Sequence, residues 1–339
     1  MTVAVDRGQL GDQASFQELV EPYRYQLQVH CYRMLGSFHE AEDLVQETFL
    51  RAWRARDRFE GRTSLRNWLY RIATNACLNA LASGSKSRRL LPEAYGPPST
   101  AKVSATASPS SEIVWLEPYP DAALPDITDD APGPEAQYEM HESIQLAFVA
   151  AIQQLPPRQR AVLLLRDVLG WSASEAAELL KSTMASVNSA LQRARASIDT
   201  RAANPEFVDT DDPGQRDLLG RYVTAWEASD IEGLVRLLRE DAIMSMPPME
   251  QWYRGREAIR GFLEWGMREQ RRFRLVATRA NGQPAFGQYM WQAEHPDAGF
   301  DAHALIVLTV DANAISALTI FVDRQLVTKF GLPAAIAAA

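Results

Sequence analysis

The sequence predicts a multidomain chain: two all-α helical domains followed by a C-terminal α+β domain. Three observations predict it. Apolar residues recur at helical spacing over residues 15–89 and again over 135–200. A stretch dominated by Pro, Ala, Ser, Thr and Asp separates those two blocks. Beyond residue 212, helical spacing gives way to strand-like runs.

The first block contains three helices. Ser15 with Glu18 forms a capping-box pattern, followed by Phe16, Leu19, Val20, Tyr23, Leu27, Cys31 and Met34 on one face. Ser37 with Glu40 opens a second helix, whose apolar face is Ala41, Leu44, Val45, Phe49, Ala52 and Trp53. A third helix is expected from Ser64 to Leu81. Residues 91–134 read as an acidic linker. Within it, WLEPYPD (Trp115–Asp121) is an apolar island with two prolines, a Trp and a Tyr, and such a segment is expected to dock.

The second helical block begins with the stripe Ile144, Phe148, Ile152 and Leu155, which Pro156–Pro157 ends. Ser172 and Glu175 cap a short helix. The turn KST follows, then a helix with Val187, Leu191, Ala194 and Ile198 inward. Two short helices joined by so tight a turn make a helix-turn-helix. In the last third, helices at about 213–228, 230–239 and 256–269 precede strand-like runs at 271–280, 284–293, 302–310 and 314–323. That order predicts an antiparallel sheet with helices on one face.

Composition narrows the function. The 339 residues are 46% hydrophobic, enough for sizeable cores. No run of about 20 uncharged apolar residues exists, so no membrane span is expected. The N-terminus lacks a basic region followed by an apolar block, so a cytoplasmic protein is expected. The two cysteines, Cys31 and Cys77, lie in helical patterns without metal-ligand spacing, and neither a metal nor a cofactor is expected. Net charge is −8, yet residues 1–89 hold 13 Lys/Arg against 10 Asp/Glu. Residues 90–134 hold one Lys against seven acids. Cationic character is concentrated in the first domain, most of all at its end.

The motif AEDLVQETFLRAW (Ala41–Trp53) packs its apolar face inward and leaves Asp43, Gln46 and Glu47 outward on adjacent turns. This segment resembles region 2.2 of the sigma factors of bacterial RNA polymerase. The resemblance implies that these three residues bind the coiled-coil clamp of the polymerase β′ subunit. DRFEGRTSLRNWLYRIATNACLNAL (Asp57–Leu81) is similar to sigma regions 2.3 and 2.4, which melt and read the −10 promoter element. Arg58, Arg62 and Arg71 supply charge for phosphate, as do Arg66, Lys86, Arg88 and Arg89. The loop holding Phe59 and Gly61 corresponds to the family's pocket for a flipped base, with Phe59 as its anchor. Asn67, Trp68, Asn75 and Asn79 lie on the matching helix.

LPPRQRAVLLLRDVLGWSASEAAELL followed by SVNSALQRARASI resembles region 4.2, whose last helix reads the −35 element. Its outward positions are Ser186, Asn188, Ser189, Gln192, Arg193 and Arg195. Family members commonly carry Lys where Asn188 stands and Arg where Ala190 stands, so two phosphate-type charges are absent here. Region 2, an acidic linker and region 4 in that order resemble the extracytoplasmic-function group of the family. The implied partners are core RNA polymerase, through its β′ clamp and β flap, and promoter DNA. The implied domains are 14–90 and 135–201.

Residues 213–332 resemble the SnoaL-like members of the NTF2-like superfamily, on YVTAWEASDIEGLVRLLREDAIMSMPP and WYRGREAIRGF. The resemblance implies a cone of sheet enclosing a pocket. Met246, Trp252, Tyr253, Trp291, His303 and Phe321 are candidates to line it. Asp241, His303 and Asp323 are the acid–base candidates, but no compact motif joins them, so no enzyme is expected. The domain is instead expected to regulate by packing on the sigma regions or linker. The competing reading, a ligand-sensing one-component helix-turn-helix regulator, leaves AEDLVQETFLRAW without a purpose.

Overall fold

The computed structural model describes residues 12–59, 64–83, 89–99, 113–123, 144–199, 213–267, 271–292 and 299–337. They form two compact units. The first contains the N-terminal helices, residues 116–119 of the linker and the second helical block. The second contains the described linker residues 90–99, 113–115 and 120–123 together with the C-terminal domain.

The first unit opens with α1 (Gln13–Val20). Its N-cap is Asp12, whose carboxylate accepts from the Ala14 and Ser15 amides. The capping box expected from Ser15 therefore lies one turn late. Pro22 has no N–H to donate, and a 3₁₀ turn at Glu21–Tyr23 separates α1 from α2 (Arg24–Leu35) where one continuous helix was expected. Ser37 caps α3 (Phe38–Ala55) through the Glu40 amide. The third helix is α4 (Leu65–Ser83). These helices pack around Leu27, Cys31, Met34, Val45, Leu69 and Cys77. The second helical block follows as α5 (Leu146–Gln153), α6 (Pro157–Leu163), α7 (Ala173–Leu179) and α8 (Met184–Asp199). A wider π turn at Leu164–Val168 extends α6. Ser172 and Glu175 close the expected capping box on α7.

A buried guanidinium fastens the two helical blocks. Arg160 of α6 is fully buried. Its Nε donates to Ile152 O, Nη1 to Met34 O and Gln153 Oε1, and Nη2 to Gln153 O and Leu155 O. All five donors of the fork are thereby used. Met34 O lies at the carboxyl end of α2 and Ile152 O and Gln153 O at that of α5, so one cation answers two helix ends.

The second unit starts with α9 (Pro213–Glu227) and α10 (Ile231–Leu237), the latter capped by Asp230. The chain then forms β1 (Leu238–Ser245), β2 (Trp252–Arg254), α11 (Arg256–Gly266), β3 (Arg271–Ala280), β4 (Gln283–Gln292), β5 (Phe300–Asp311), β6 (Ala314–Phe321), α12 (Arg324–Lys329) and the short β7 (Ala335–Ile336). The sheet order is β2-β1-β6-β5-β4-β3, with β7 added on β5. The four later strands are the predicted ones, and Asn281–Gly282 joins β3 to β4 with positive φ at both residues, a two-residue hairpin. The pattern missed β1 and β2. Because β1 runs parallel to β6, the sheet is mixed rather than antiparallel. Tyr222, Trp226, Leu234, Ile259 and Phe262 from the helices pack against Met244, Phe286, Ile306 and Leu318 from the sheet.

His30 of α2 is almost wholly buried against Thr74, with Nε2 2.9 Å from the hydroxyl. Burial, reinforced by Arg33 and Arg66, lowers its pKa from 6.5 to about 3. The unfolded chain therefore binds the extra proton between those values, and the fold loses stability as pH falls through that window. Replacing His30→Gln is expected to flatten this dependence by up to about 1.4 kcal/mol per pH unit. Urea-unfolding midpoints measured across the window check it; identical pH profiles for wild type and variant would contradict it.

Candidate polymerase and nucleic-acid interfaces

Helix α3 directs its polar stripe away from the bundle because Ala41, Val45, Thr48 and Ala52 bury the other face. Asp43 and Gln46 are exposed. Glu47 is partly exposed and pairs with Arg51 at 2.7 Å, one turn along. The three predicted residues thus share one face.

At the predicted −10 site, Arg58 is exposed, whereas Phe59 is buried and stacks on Trp68 with ring centres 5.0 Å apart. Trp68 is half-buried. Gly61 and Arg62 lie outside the described residues, as do Lys86 and Arg88. Asn75 and Asn79 are exposed one turn apart on α4, and Asn67 and Arg71 are partly exposed nearer its start. Arg71 Nη2 meets Glu178 Oε1 of α7 at 2.7 Å, and Asn67 Nδ2 lies 3.5 Å from Glu175 Oε1. Arg66 leans over the Tyr70 ring and donates to Gln26.

Arg89 departs from expectation. It is buried, with Glu40 at 2.5 Å and Glu117 at 3.5 Å. It braces the linker against α3 instead of facing DNA. Sequence position alone grouped it with its basic neighbours; Glu40 was read as the partner of Ser37 in a capping box, and its carboxylate instead meets Arg89.

The helix-turn-helix buries Val187, Leu191 and Ala194. That phase turns Ser186, Asn188, Ser189, Gln192, Arg193 and Arg195 to the exposed face of α8. Arg195 is held by Asp167 through two bonds of 2.9 and 2.7 Å.

The linker island docks, but in parts. Leu116 and Tyr119 are buried in the first unit. Tyr119 packs on Tyr32 and Phe38 with ring centres 5.0 and 5.1 Å away. Glu117 accepts from the Ser37 hydroxyl at 2.9 Å and the Phe38 amide at 3.1 Å, and so caps α3. Its own amide donates to Gly36 O. Gly36 has φ +71°, and a Cβ there would sit 2.9 Å from Leu116 Cδ1. In the second unit, Trp115 bridges to Leu90 and packs on Tyr95. There Asp121 accepts from Gly282 N at 2.9 Å and Arg279 Nε at 3.2 Å.

The candidate pocket residues do not converge. Tyr253 belongs to the main core and Met246 packs against it, while Trp291 joins a second cluster with Tyr289, Phe300 and Val327. Trp252 donates its indole N–H to Gly96 O of the linker. His303 falls at a bulge between β4 and β5, and burial, then Arg271, lowers its pKa. Phe321 is buried on β6. An apolar recess of about 230 Å³ lies elsewhere, between α9 and the β3–β4 hairpin, lined by Leu219, Val223, Ala277 and Phe286 among others. The acid–base candidates are also apart: Asp241 pairs with Arg239, and Asp323 caps α12. Among the described residues, no group of three or more His, Cys, Asp or Glu side chains is placed to hold a metal ion. No helix among them is long and apolar enough to cross a membrane.

Comparison with known proteins defines the class. Residues 19–87 match Sigma-70 region 2, residues 145–198 match Sigma-70 region 4, and residues 219–317 match the SnoaL-like domain. The ECF RNA polymerase sigma factor SigG of Mycobacterium tuberculosis is 46% identical over 330 residues, spanning 94% of this chain and 84% of that protein. SigW of Bacillus subtilis is 33% identical over 185 residues, 55% of this chain and 87% of its own. The crystal structure of Mycobacterium tuberculosis SigJ shares the fold, with a TM-score of 0.56 at 21% identity over 94% of this chain and 99% of that one. The chain belongs to the extracytoplasmic-function RNA polymerase sigma factors, with a SnoaL-like domain at its C-terminal end.

Glu117 joins the linker to the start of α3, which yields a direct test. Glu117→Ala leaves the Ser37 hydroxyl, the Phe38 amide and Arg89 short of an acceptor. A loss of about 1–3 kcal/mol in urea unfolding is expected. An unchanged midpoint would mean that water replaces the carboxylate without cost.

Proposed function

We propose that this sigma factor engages core polymerase through Asp43, Gln46 and Glu47 on the β′ clamp, with region 4 on the β flap. In this reading α4 and the loop before it take the −10 element, and α8 reads the −35 element. The supporting observation is the phase of α8: all six predicted DNA-facing residues are exposed while Val187, Leu191 and Ala194 between them are buried. The side chains available there suit base edges and phosphates together, since amides and hydroxyls accompany two arginines. On α3, a carboxylate and amide row suits a basic helical partner and steers encounter.

The chemistry of RNA synthesis belongs to polymerase, and the relatives of this chain are initiation factors rather than enzymes. Region 2 would capture an unstacked base, whose extrusion costs a few kcal/mol, and phosphate contacts offset that cost. The SnoaL-like domain is assigned a regulatory role through the linker. The buried placement of Leu116 and Tyr119 supports that reading, because a simple tether has no reason to bury them.

Asp43→Arg/Glu47→Arg in the full chain is expected to weaken binding to core polymerase at least roughly tenfold and to abolish run-off transcription. Glu47→Arg faces Arg51 one turn along, which costs the helix only a few tenths of a kcal/mol. Circular dichroism therefore should remain unchanged. Wild-type binding by the double variant would remove α3 from the polymerase interface.

A further inference from the structure

We propose that the recess between α9 and the β3–β4 hairpin binds a small monocarboxylate with an apolar tail, and that Asp121 of the linker is its intramolecular stand-in. The whole arrangement lies within the second unit. Leu219 and Val223 of α9 and Ala277 and Phe286 of the hairpin form its walls, and it holds about 230 Å³. Drug-sized sites hold roughly 300–1,000 Å³, so the occupant is small. The recess is separate from the interior of the cone, which Tyr222, Trp226, Met244 and Ile306 fill. Of its described lining residues, Arg279 alone carries charge.

Three observations point to that ligand. First, the arginine on the wall already binds a carboxylate. Asp121 accepts from Arg279 Nε at 3.2 Å and from Gly282 N at 2.9 Å, so a guanidinium and a hairpin amide together cradle an anion. The 3₁₀ turn Asp121–Ala123 and a bridge from Pro120 to Ala280 bring it there. The Arg279 side chain is 36% exposed, so a ligand reaches it and the pair is exchangeable. Second, Ala277 and Arg279 alternate with Thr278 on β3 and share one sheet face, with Phe286 paired to Ala277. A carboxylate on Arg279 therefore lays its tail along the apolar wall. Third, Gly220 lines the recess from inside α9, where glycine weakens a helix relative to alanine. A Cβ there would meet nothing within 4 Å, so packing does not require glycine, and its missing side chain leaves the recess open. Ligand binding displaces Asp121 and loosens the linker turn from the hairpin. Its effect on transcription rests on the regulatory role proposed for this domain, whereas the site itself does not.

The test follows hexanoate binding to the full chain by saturation-transfer NMR, with hexanamide as the uncharged analogue. Asp121→Asn keeps the size of the side chain and removes the competing charge. It is expected to tighten hexanoate binding about three- to tenfold. Arg279→Gln is expected to reduce hexanoate to the level of hexanamide. Gly220→Leu, at an exposed helical position, is expected to fill the recess and abolish binding of both, with circular dichroism unchanged. The site is overturned if Asp121→Asn binds hexanoate no tighter than wild type, if Gly220→Leu binds it as wild type does, or if hexanamide matches hexanoate. Run-off transcription by Asp121→Asn without hexanoate separates the site from the regulatory reading. Altered transcription without hexanoate binding overturns the site and keeps the linker as a regulatory route. Tighter hexanoate binding with unchanged transcription keeps the site and overturns that route.

Discussion

The carboxyl end of α2 is the place on which the first unit depends. A helix leaves its last carbonyls without partners, and here the bundle itself does not supply them. Tyr32 O is taken by the Gly36 amide, Arg33 O by Gln153, Met34 O by Arg160, and Gly36 O by Glu117 of the linker. Three stretches of sequence, at residues 32–36, 117 and 153–160, thus meet at one helix end. The left-handed Gly36 makes room for that meeting, since Leu116, Gln153 and Arg89 all approach the position of its missing Cβ. Burying a cation is ordinarily costly, and five well-placed acceptors and two negative helix ends offset the lost hydration.

Much of this architecture was legible in the sequence, for identifiable reasons. Periodicity located the helices because each buries one stripe, as the phase of Val187, Leu191 and Ala194 shows. The motifs located the family because region 2 and region 4 occur in order. Long-range partners were not legible. Arg89 reads as one more cation in a basic run, and only the fold brings Glu40 and Glu117 to it. Arg160 reads as an ordinary polar residue of a short helix. The strand β1 was hidden because REDAIMS continues an apolar helical stripe from α10 without a Gly or Pro to break it. The candidate pocket failed as a group because aromatic residues at strand spacing alternate between two faces, and Tyr253 and Trp291 went to different clusters.

The linker shows how composition misleads about function. Its prolines, acids and small residues read as a spacer, yet its aromatic centre is distributed with care. Leu116 and Tyr119 complete the core of the first unit. In the second unit, Gly96 O receives the Trp252 indole, and Ser99 N donates to Trp252 O on the edge strand β2. That edge would otherwise expose unpaired backbone groups. Each unit is incomplete without its share of the linker.

The two kinds of charged contact in the first unit respond differently to solution conditions. Among the described residues, Arg160 is bound by backbone carbonyls and the Gln153 amide, which do not titrate, and burial shields these contacts from salt. The Arg71–Glu178 and Arg195–Asp167 pairs sit at the surface, where added salt screens them within a Debye length of about 8 Å at physiological strength. Rising salt therefore loosens the surface pairs of Arg71 and Arg195 before it touches the buried contacts of Arg160. The surface pairs are exchangeable contacts, whereas the buried guanidinium joins region 4 to the end of α2 in region 2.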